Sequence, residues 1–231
     1  MSNICYVFLA YGEEYIEEFL RIAPFFPKEH ILVCSNRKIE KYNTLTTNNP
    51  FNFNLKLTAL TKALKKYNKV LILDTDTIIK DFNPDLLSEL ESGLTVKWFG
   101  ERVTYLDSSI TSKSLSNGTT IFNDVNDYGK TLFKEYKNTL RFIDESCLFF
   151  NFTNEQQKAM FISTLEYYFS KLKNKYPIRE GKVGSLEGCL LYVIASQVNL
   201  GIYKNKEIFD KMFYHYGPVN GHNISFKQKV L

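Results

Sequence analysis

Residues 69–80, KVLILDTDTIIK, constrain the fold more than any other stretch of the chain. Val70, Leu71, Ile72 and Leu73 form a short continuous apolar run that ends in Asp74, Thr75 and Asp76. Such a run is typical of a strand buried on both faces, as in a parallel or mixed α/β sheet. Two acids at the end of a buried strand are costly unless a cation or a hydrogen-bond network compensates them. In open α/β sheets, ligands bind at the carboxyl ends of the strands, where these two aspartates fall. Carboxylates two residues apart at a strand end suit a hard divalent cation, which prefers oxygen ligands.

The rest of the chain reads as alternating strands and helices. Residues 4–10 form an apolar run expected as a first buried strand, and 11–14 a turn. Residues 14–25 place Ile16, Phe19, Leu20 and Ala23 at helical spacing before Pro24 and Pro27 end the pattern. Residues 30–35 give a second strand closed by Asn36, so the chain opens with a βαβ unit. A polar loop is expected over 42–54. A helix over 55–67 carries Leu57, Leu60, Ala63 and Leu64 on one stripe and Lys62, Lys65 and Lys66 opposite. Further expectations are helices over 85–90, 128–137, 155–173 and 186–197, and strands over 95–99, 147–150 and 199–203. Residues 100–126, rich in Ser, Thr and Asn, read as a loop or a short-strand excursion. With 231 residues, no internal repeat and no linker, one domain is expected.

Composition excludes some function classes. A net charge of +4 without a concentrated basic face does not point to nucleic acid. Lys171, Lys173, Lys175, Arg179 and Lys182 form a basic stretch, read either as a solvated face or as a contact with an anionic membrane or acceptor. Cys5, Cys34, Cys147 and Cys189 are widely spaced, form no CxxC pair and lie in apolar runs, which suits a reducing compartment. Residues 4–10 are too short for a span and lack a basic flank, so a cytoplasmic protein, peripheral to a membrane at most, is expected. The 15% aromatic content fits either bulky core choices or a stacking-rich site.

The order of segments carries a resemblance. A βαβ start is followed by KLTALTKALKKYNKVLILDTDTIIK, then DESCLFFN, then SLEGCLLYVIA, then a terminal HYG. This order resembles the GT-A-fold, nucleotide-sugar-dependent glycosyltransferases, and most of all the family 8 (glycogenin and lipopolysaccharide galactosyltransferase) pattern. The resemblance implies an α/β fold with a Rossmann-like mixed sheet flanked by helices in a single domain. Residues 1–100 would be its nucleotide-binding half and 101–231 its acceptor-side half. It further implies Mn²⁺, with Mg²⁺ as second choice, held by Asp74 and Asp76, with Thr75 near the ribose. A mixed oxygen and nitrogen donor set favours Mn²⁺ over Mg²⁺.

The third ligand implied is His215, in His215-Tyr216-Gly217-Pro218. This segment departs from the family pattern: Gly217 is one residue closer to the histidine, and no Lys-Pro-Trp follows. The phosphate-contacting lysine stays open between Lys227 and Lys229. Ala10 and Tyr11 fall where the family holds the nucleobase; Tyr11 reads equally as a stacking ring or as a turn tyrosine. Asn36 is a weaker candidate there. Lys56, 18 residues before Asp74, matches a basic residue that steadies the donor, or else lies on an exposed helix face.

In DESCLFFN, Asp144 and Ser146 replace the Asn and Gly usual in the family. Asp144, Glu145 and Glu187 are the carboxylates able to face the reacting sugar, with helix capping or surface placement as the alternative for each. An inverting enzyme needs one as a general base, a retaining one needs a group that stabilises an oxocarbenium-like transition state, and both remain open. The function implied is transfer of a hexose from a nucleoside diphosphate, UDP first, to a hydroxyl of a glycan or glycoconjugate, with no obligate protein partner. Two other readings stand beside it. One is a HAD-like phosphotransferase, whose loop shares the hhhhDxD pattern. The other is a silent nucleotide- or carbohydrate-binding domain of the same fold.

Overall fold

The computed structural model describes residues 3–47, 54–98, 102–105, 113–114, 119–122, 141, 143–172 and 187–215. Seven strands form the main sheet: β1 (Ile4–Leu9), β2 (Ile31–Ser35), β3 (Asn43–Thr46), β4 (Lys69–Leu73), β6 (Gly93–Val96), β10 (Cys147–Asn151) and β11 (Ile202–Lys204). Their spatial order is β11-β6-β10-β4-β1-β2-β3. β4 is central, parallel to β1 and antiparallel to β10. β1 and β2, β2 and β3, and β6 and β11 pair in parallel, while β10 runs antiparallel to β6. The fold is thus α/β with a mixed sheet flanked by helices, as expected.

Side-chain alternation builds two cores, one on each face. Cys5, Val7, Val70, Ile72, Leu148 and Phe150 point to one face, under α2 (Asn54–Leu64), α4 (Glu155–Leu172) and α5 (Glu187–Gln197). Ile4, Tyr6, Phe8, Leu71, Leu73 and Phe149 point to the other, under α1 (Glu13–Ile22) and α6 (Lys206–Met212), with Leu87 of α3 (Pro84–Ser88) in the same cluster. Because both faces are covered, these strands are apolar throughout rather than alternating with polar residues. On the second face Tyr6, Phe8, Phe19, Phe26, Phe82 and Phe213 make a chain of tilted and edge-on ring contacts. Much of the high aromatic content is therefore core.

Several boundaries differ from the sequence expectation. The polar stretch expected as loop contains β3, whose Asn and Thr residues suit a half-exposed edge strand that needs no apolar face. α1 ends at Ile22, with Pro24 inside a following 3₁₀ turn, and Leu20, assigned to the buried stripe, is 46% exposed. The strand expected over 95–99 spans Gly93–Val96, and the last strand of the main sheet is Ile202–Lys204. Residues 100–126 do contain short strands: β7 (Arg102–Tyr105), β8 (Lys113–Ser114) and β9 (Thr119–Phe122) pair in the order β7-β9-β8. The expected helix over 128–137 and the side chains of the basic stretch lie outside the described residues.

Three further elements, β5 (Thr77–Ile79), β12 (Phe213–His215) and α6, have no counterpart in the sequence reading. β5, continuing directly from the Asp-Thr-Asp turn, pairs antiparallel with β12. α6 leads into β12, and Lys80 N–H donates to the Met212 carbonyl at 2.9 Å. Asn205 starts α6 by accepting the Ile208 N–H at 3.1 Å.

All four cysteines are free and buried, and burial pushes the Cys5 thiol up to about 12 and the Cys34 thiol up to about 11. Among the described residues no helix is long and apolar enough to cross a membrane.

Phe213 anchors β12, since it is 3% exposed and packs against Phe82. Phe213→Ala is expected to cost about 3–5 kcal/mol, read as a lowered urea midpoint. The same substitution should return the His215 ring signals towards free-histidine positions in an NMR spectrum, because β12 is what holds that ring.

Candidate active site

β1, β2, β4 and β6 all end at one edge of the sheet, and antiparallel β10 begins there, with Cys147 opposite Leu73. Five connections meet at this edge: 10–12, 35–37, 74–76, 97–98 and 144–146. Most of the side chains that sequence reading singles out lie on them.

Asp74 and Asp76 leave β4 at this edge, and the β5–β12 ladder carries His215 opposite Thr77. The His215 Nε2 lies 3.1 Å from Asp76 Oδ1 and 3.7 Å from Asp74 Oδ2. One ligand atom from each of the three residues lies within 4.8 Å of the others. Donor atoms about 2.1–2.2 Å from a shared ion stand about 3.0–3.6 Å apart at angles between square and tetrahedral. The 3.1 Å nitrogen–oxygen distance falls in that range and the 3.7 Å one just beyond it, so a small closing movement lets this donor set take a divalent cation.

Without a cation the same atoms form an ion pair. Burial pushes the Asp76 carboxyl up, but the hydrogen bond and charge of His215 outweigh it and leave the carboxyl below its ordinary value. Burial likewise pushes His215 down. The hydrogen bond it donates to Asp76, then the charges of Asp76, Asp74 and Asp144, outweigh it and leave the imidazole above its ordinary value.

The neighbouring interactions tie this turn to the rest of the molecule. Lys56 of α2 is 5% exposed, and its Nζ donates to Asp74 Oδ1 at 2.7 Å and to the Glu145 carbonyl at 3.1 Å. Of the two readings of Lys56, the exposed helix face is therefore excluded. Asp74 N–H donates to the Ser146 carbonyl at 3.0 Å. Asp144, half-buried, accepts the Ser146 N–H at 3.0 Å, and its own N–H donates to the Trp98 carbonyl at 2.9 Å. Glu145 is buried, and its Oε1 accepts the Gly188 N–H in the first turn of α5 at 2.6 Å. A Cβ on Gly188 would run into the Ile143 carbonyl and Glu145 Oε1, so this close approach requires glycine.

Glu187 begins α5; its side chain, together with Gly217, His222, Lys227 and Lys229, lies outside the described residues. Ala10 is fully buried and its N–H donates to the Cys34 carbonyl at 2.9 Å. Thr75 is 2% exposed, between the two aspartates. Tyr11 is partly buried and packs against the α2 side of the core. Asn36 is exposed, and its Oδ1 accepts the N–H of Gly12, whose φ of +94° belongs to the glycine-favoured region.

Sequence reading misses two residues of α1. Tyr15 lies in the field of the site: its hydroxyl is pushed up first by burial, then by Asp76, Glu14 and Asp74. Arg21 pairs with buried Glu18 at 2.9 Å and donates to the Thr77 carbonyl at 2.7 Å, fastening α1 to β5. A buried glutamate three residues before an arginine is legible as a helical pair, but nothing local says that the arginine reaches across 56 residues.

No family model matches the sequence, and no curated protein matches it either. Solved structures are similar to this chain only at low identity. The 2-C-methyl-D-erythritol 4-phosphate cytidylyltransferase of Thermus thermophilus is 12% identical, with 93% of each chain covered and a TM-score of 0.42. The catalytic domain of Drosophila β1,4-galactosyltransferase 7, solved with xylobiose, is 12% identical over 92% of this chain and 70% of its own, with a TM-score of 0.41. The galactosyltransferase LgtC, solved with donor and acceptor sugar analogues, is 11% identical over 86% of this chain and 72% of its own, with a TM-score of 0.39.

The Asp76–His215 pair gives metal-free protein a defined pH response. The lowered Asp76 contributes stability above its ordinary value of 3.8, and loses it as pH falls through the folded value. The raised His215 contributes stability below its ordinary value of 6.5, and loses it as pH rises through the folded value. Metal-free protein should therefore gain most from the pair between those two values. An NMR titration of His215 should give a midpoint above that of an ordinary histidine, falling back in Asp76→Asn. Gly188→Ala should cost about 1–3 kcal/mol by overpacking, read by thermal melting.

Proposed function

We propose that the protein is a metal-dependent glycosyltransferase that moves a hexose from a nucleoside-diphosphate sugar, UDP first among the nucleotides, to a hydroxyl of a glycan or glycoconjugate. The observation that carries this reading is the convergence of Asp74, Asp76 and His215, up to 141 residues apart in sequence, at the carboxyl edge of a mixed α/β sheet. Open α/β sheets bind their ligands at that edge. The resemblance of the segment order to family 8 agrees with it.

In this reading Asp74, Asp76 and His215 hold Mn²⁺, with Mg²⁺ as second choice. The cation would neutralise the charge that builds on the departing nucleoside diphosphate. Ala10, Tyr11 and Asn36 stand on the two loops beside the aspartates, where the base and ribose would lie, and Thr75 is the residue that the resemblance places near the ribose. In the same reading residues 1–100 are the nucleotide-binding half and 101–231 the acceptor-side half, His215 apart. Glu145, bound to Gly188, supports the site from behind, which leaves Asp144 and Glu187 to face the reacting sugar.

The test is thermal melting with UDP, GDP and TDP, each with and without Mn²⁺, on wild type and Asp76→Asn. A nucleotide at 100 times its dissociation constant adds about 2.7 kcal/mol, a clear shift of the midpoint. The expected result is a UDP shift that needs Mn²⁺ and vanishes in Asp76→Asn. No shift with any nucleotide in folded protein would sink the proposal. A shift without turnover of any UDP-sugar would favour a silent binding domain, and turnover of a phosphate ester through Asp74 the phosphotransferase.

A further inference from the structure

Asp74 is held asymmetrically. Its Oδ1 takes the Lys56 ammonium at 2.7 Å, while Oδ2 is the oxygen turned towards His215, 3.7 Å from Nε2. The Lys56 side chain is 6% exposed and that of Asp74 27%, so the ammonium sits behind the carboxylate and away from solvent. A second anchor, the Glu145 carbonyl at 3.1 Å, holds the ammonium from the β10 side. Glu145 is itself fixed to the first turn of α5 by the 2.6 Å bond to Gly188. An ammonium placed this way cannot point into the ligand space in front of the aspartates without giving up both partners.

We infer that Lys56 is a positioning residue that makes cation binding and diphosphate binding depend on each other, by offering the cation a single oxygen of Asp74 and by removing one unit of negative charge from behind it. This inference rests on the metal-dependent reading of the site given above. With His215 neutral, as a metal ligand has to be, Asp74, Asp76 and Lys56 sum to one formal negative charge, and a divalent cation turns that sum positive. A protonated His215 in the empty site only weakens its pull on a free cation further. A positive loaded site attracts a diphosphate, whereas the weakly negative empty site binds a free cation only loosely. Removing Lys56 lowers both sums by one unit, whatever other groups surround them. The empty site then attracts the cation more strongly, also because Asp74 is free to offer both oxygens, and the loaded site attracts the diphosphate less. Binding of the two ligands becomes less coupled, and the coupling is reciprocal by linkage.

Two other roles for a buried lysine make different forecasts. A lysine that contacts the donor directly would leave the affinity for free cation unchanged on removal. A lysine that serves only as a buried ion pair would lower the melting temperature and leave the coupling alone.

The experiment measures Mn²⁺ binding by the electron paramagnetic resonance signal of free Mn²⁺, with and without UDP, on wild type, Lys56→Met and Lys56→Arg. Folding is checked by circular dichroism, and Lys56→Gln takes the place of Lys56→Met if that variant is unfolded. Lys56→Met is expected to bind Mn²⁺ alone at least about fivefold more tightly than wild type, from the lost charge a few ångströms away. The factor by which UDP tightens Mn²⁺ should fall by a similar amount, and Lys56→Arg should keep the wild-type factor. Unchanged or weaker binding of Mn²⁺ alone in the folded variant, or an unchanged UDP factor, overturns the role of Lys56 and leaves the metal reading standing. Wild-type protein that binds no Mn²⁺ overturns both.

Discussion

Two carboxylates stand at the end of a strand buried between β1 and β10, and the surrounding structure is arranged to compensate them. Asp74 and Asp76 cannot be left alone there, because a buried or half-buried charge without a partner is strongly destabilising. The fold answers from three directions. α2 brings the Lys56 ammonium from one face of the sheet, and β12 brings the His215 ring alongside β5. The segment before β10 supplies a backbone carbonyl to the Asp74 N–H. Each compensating group comes from a separate part of the chain, so the edge assembles only when the sheet does.

The segment 144–146 is the joint of this arrangement. It receives Asp74 N–H and the Lys56 ammonium through its carbonyls and sends the Glu145 carboxylate to Gly188 of α5. Asp144 bends back on Ser146 and holds Trp98, just beyond β6, through its own N–H. A carboxylate at a helix N-terminus is favoured by the exposed amides and the helix dipole, which explains why a buried glutamate is tolerated at this position. A site mounted on such a frame is fixed by bonds from its connections to the sheet and to α5. That is the arrangement a transferase needs if charge is to be stabilised at a defined point. The sheet itself is a scaffold shared by proteins of different chemistry, so function has to be argued from this edge rather than from the fold.

Local pattern is enough to read the α/β class, the buried character of β4, the βαβ opening and the two aspartates, because continuous apolar runs and helical spacing are properties of neighbouring residues. Resemblance nominates Lys56 and His215, while the spacing of charges alone leaves Lys56 open between a donor contact and an exposed face. The edge strand β3 escapes because its Asn and Thr residues satisfy an exposed ladder and a loop equally well. β12 escapes because three residues, Phe213, Tyr214 and His215, carry too little periodicity to declare a strand. Tyr15 carries no local signal, and the spacing of Glu18 and Arg21 shows a helical pair but not the reach of Arg21 to β5, since their importance lies in what faces them.

Periodicity along the chain settles which strand is buried on both faces and which of its ends bears paired acids, since hydrophobic order is written in neighbouring residues. What stands opposite those acids is settled by assembly alone. The β5–β12 ladder, the Asp76–His215 contact beside it and the bond from Gly188 to Glu145 join residues 43 to 139 apart, and even the shorter reach of Lys56 to Asp74, 18 residues away, requires α2 to lie against the sheet. Such contacts form only once the core has brought the elements together, because the cost of closing those loops is met by burial elsewhere in the molecule.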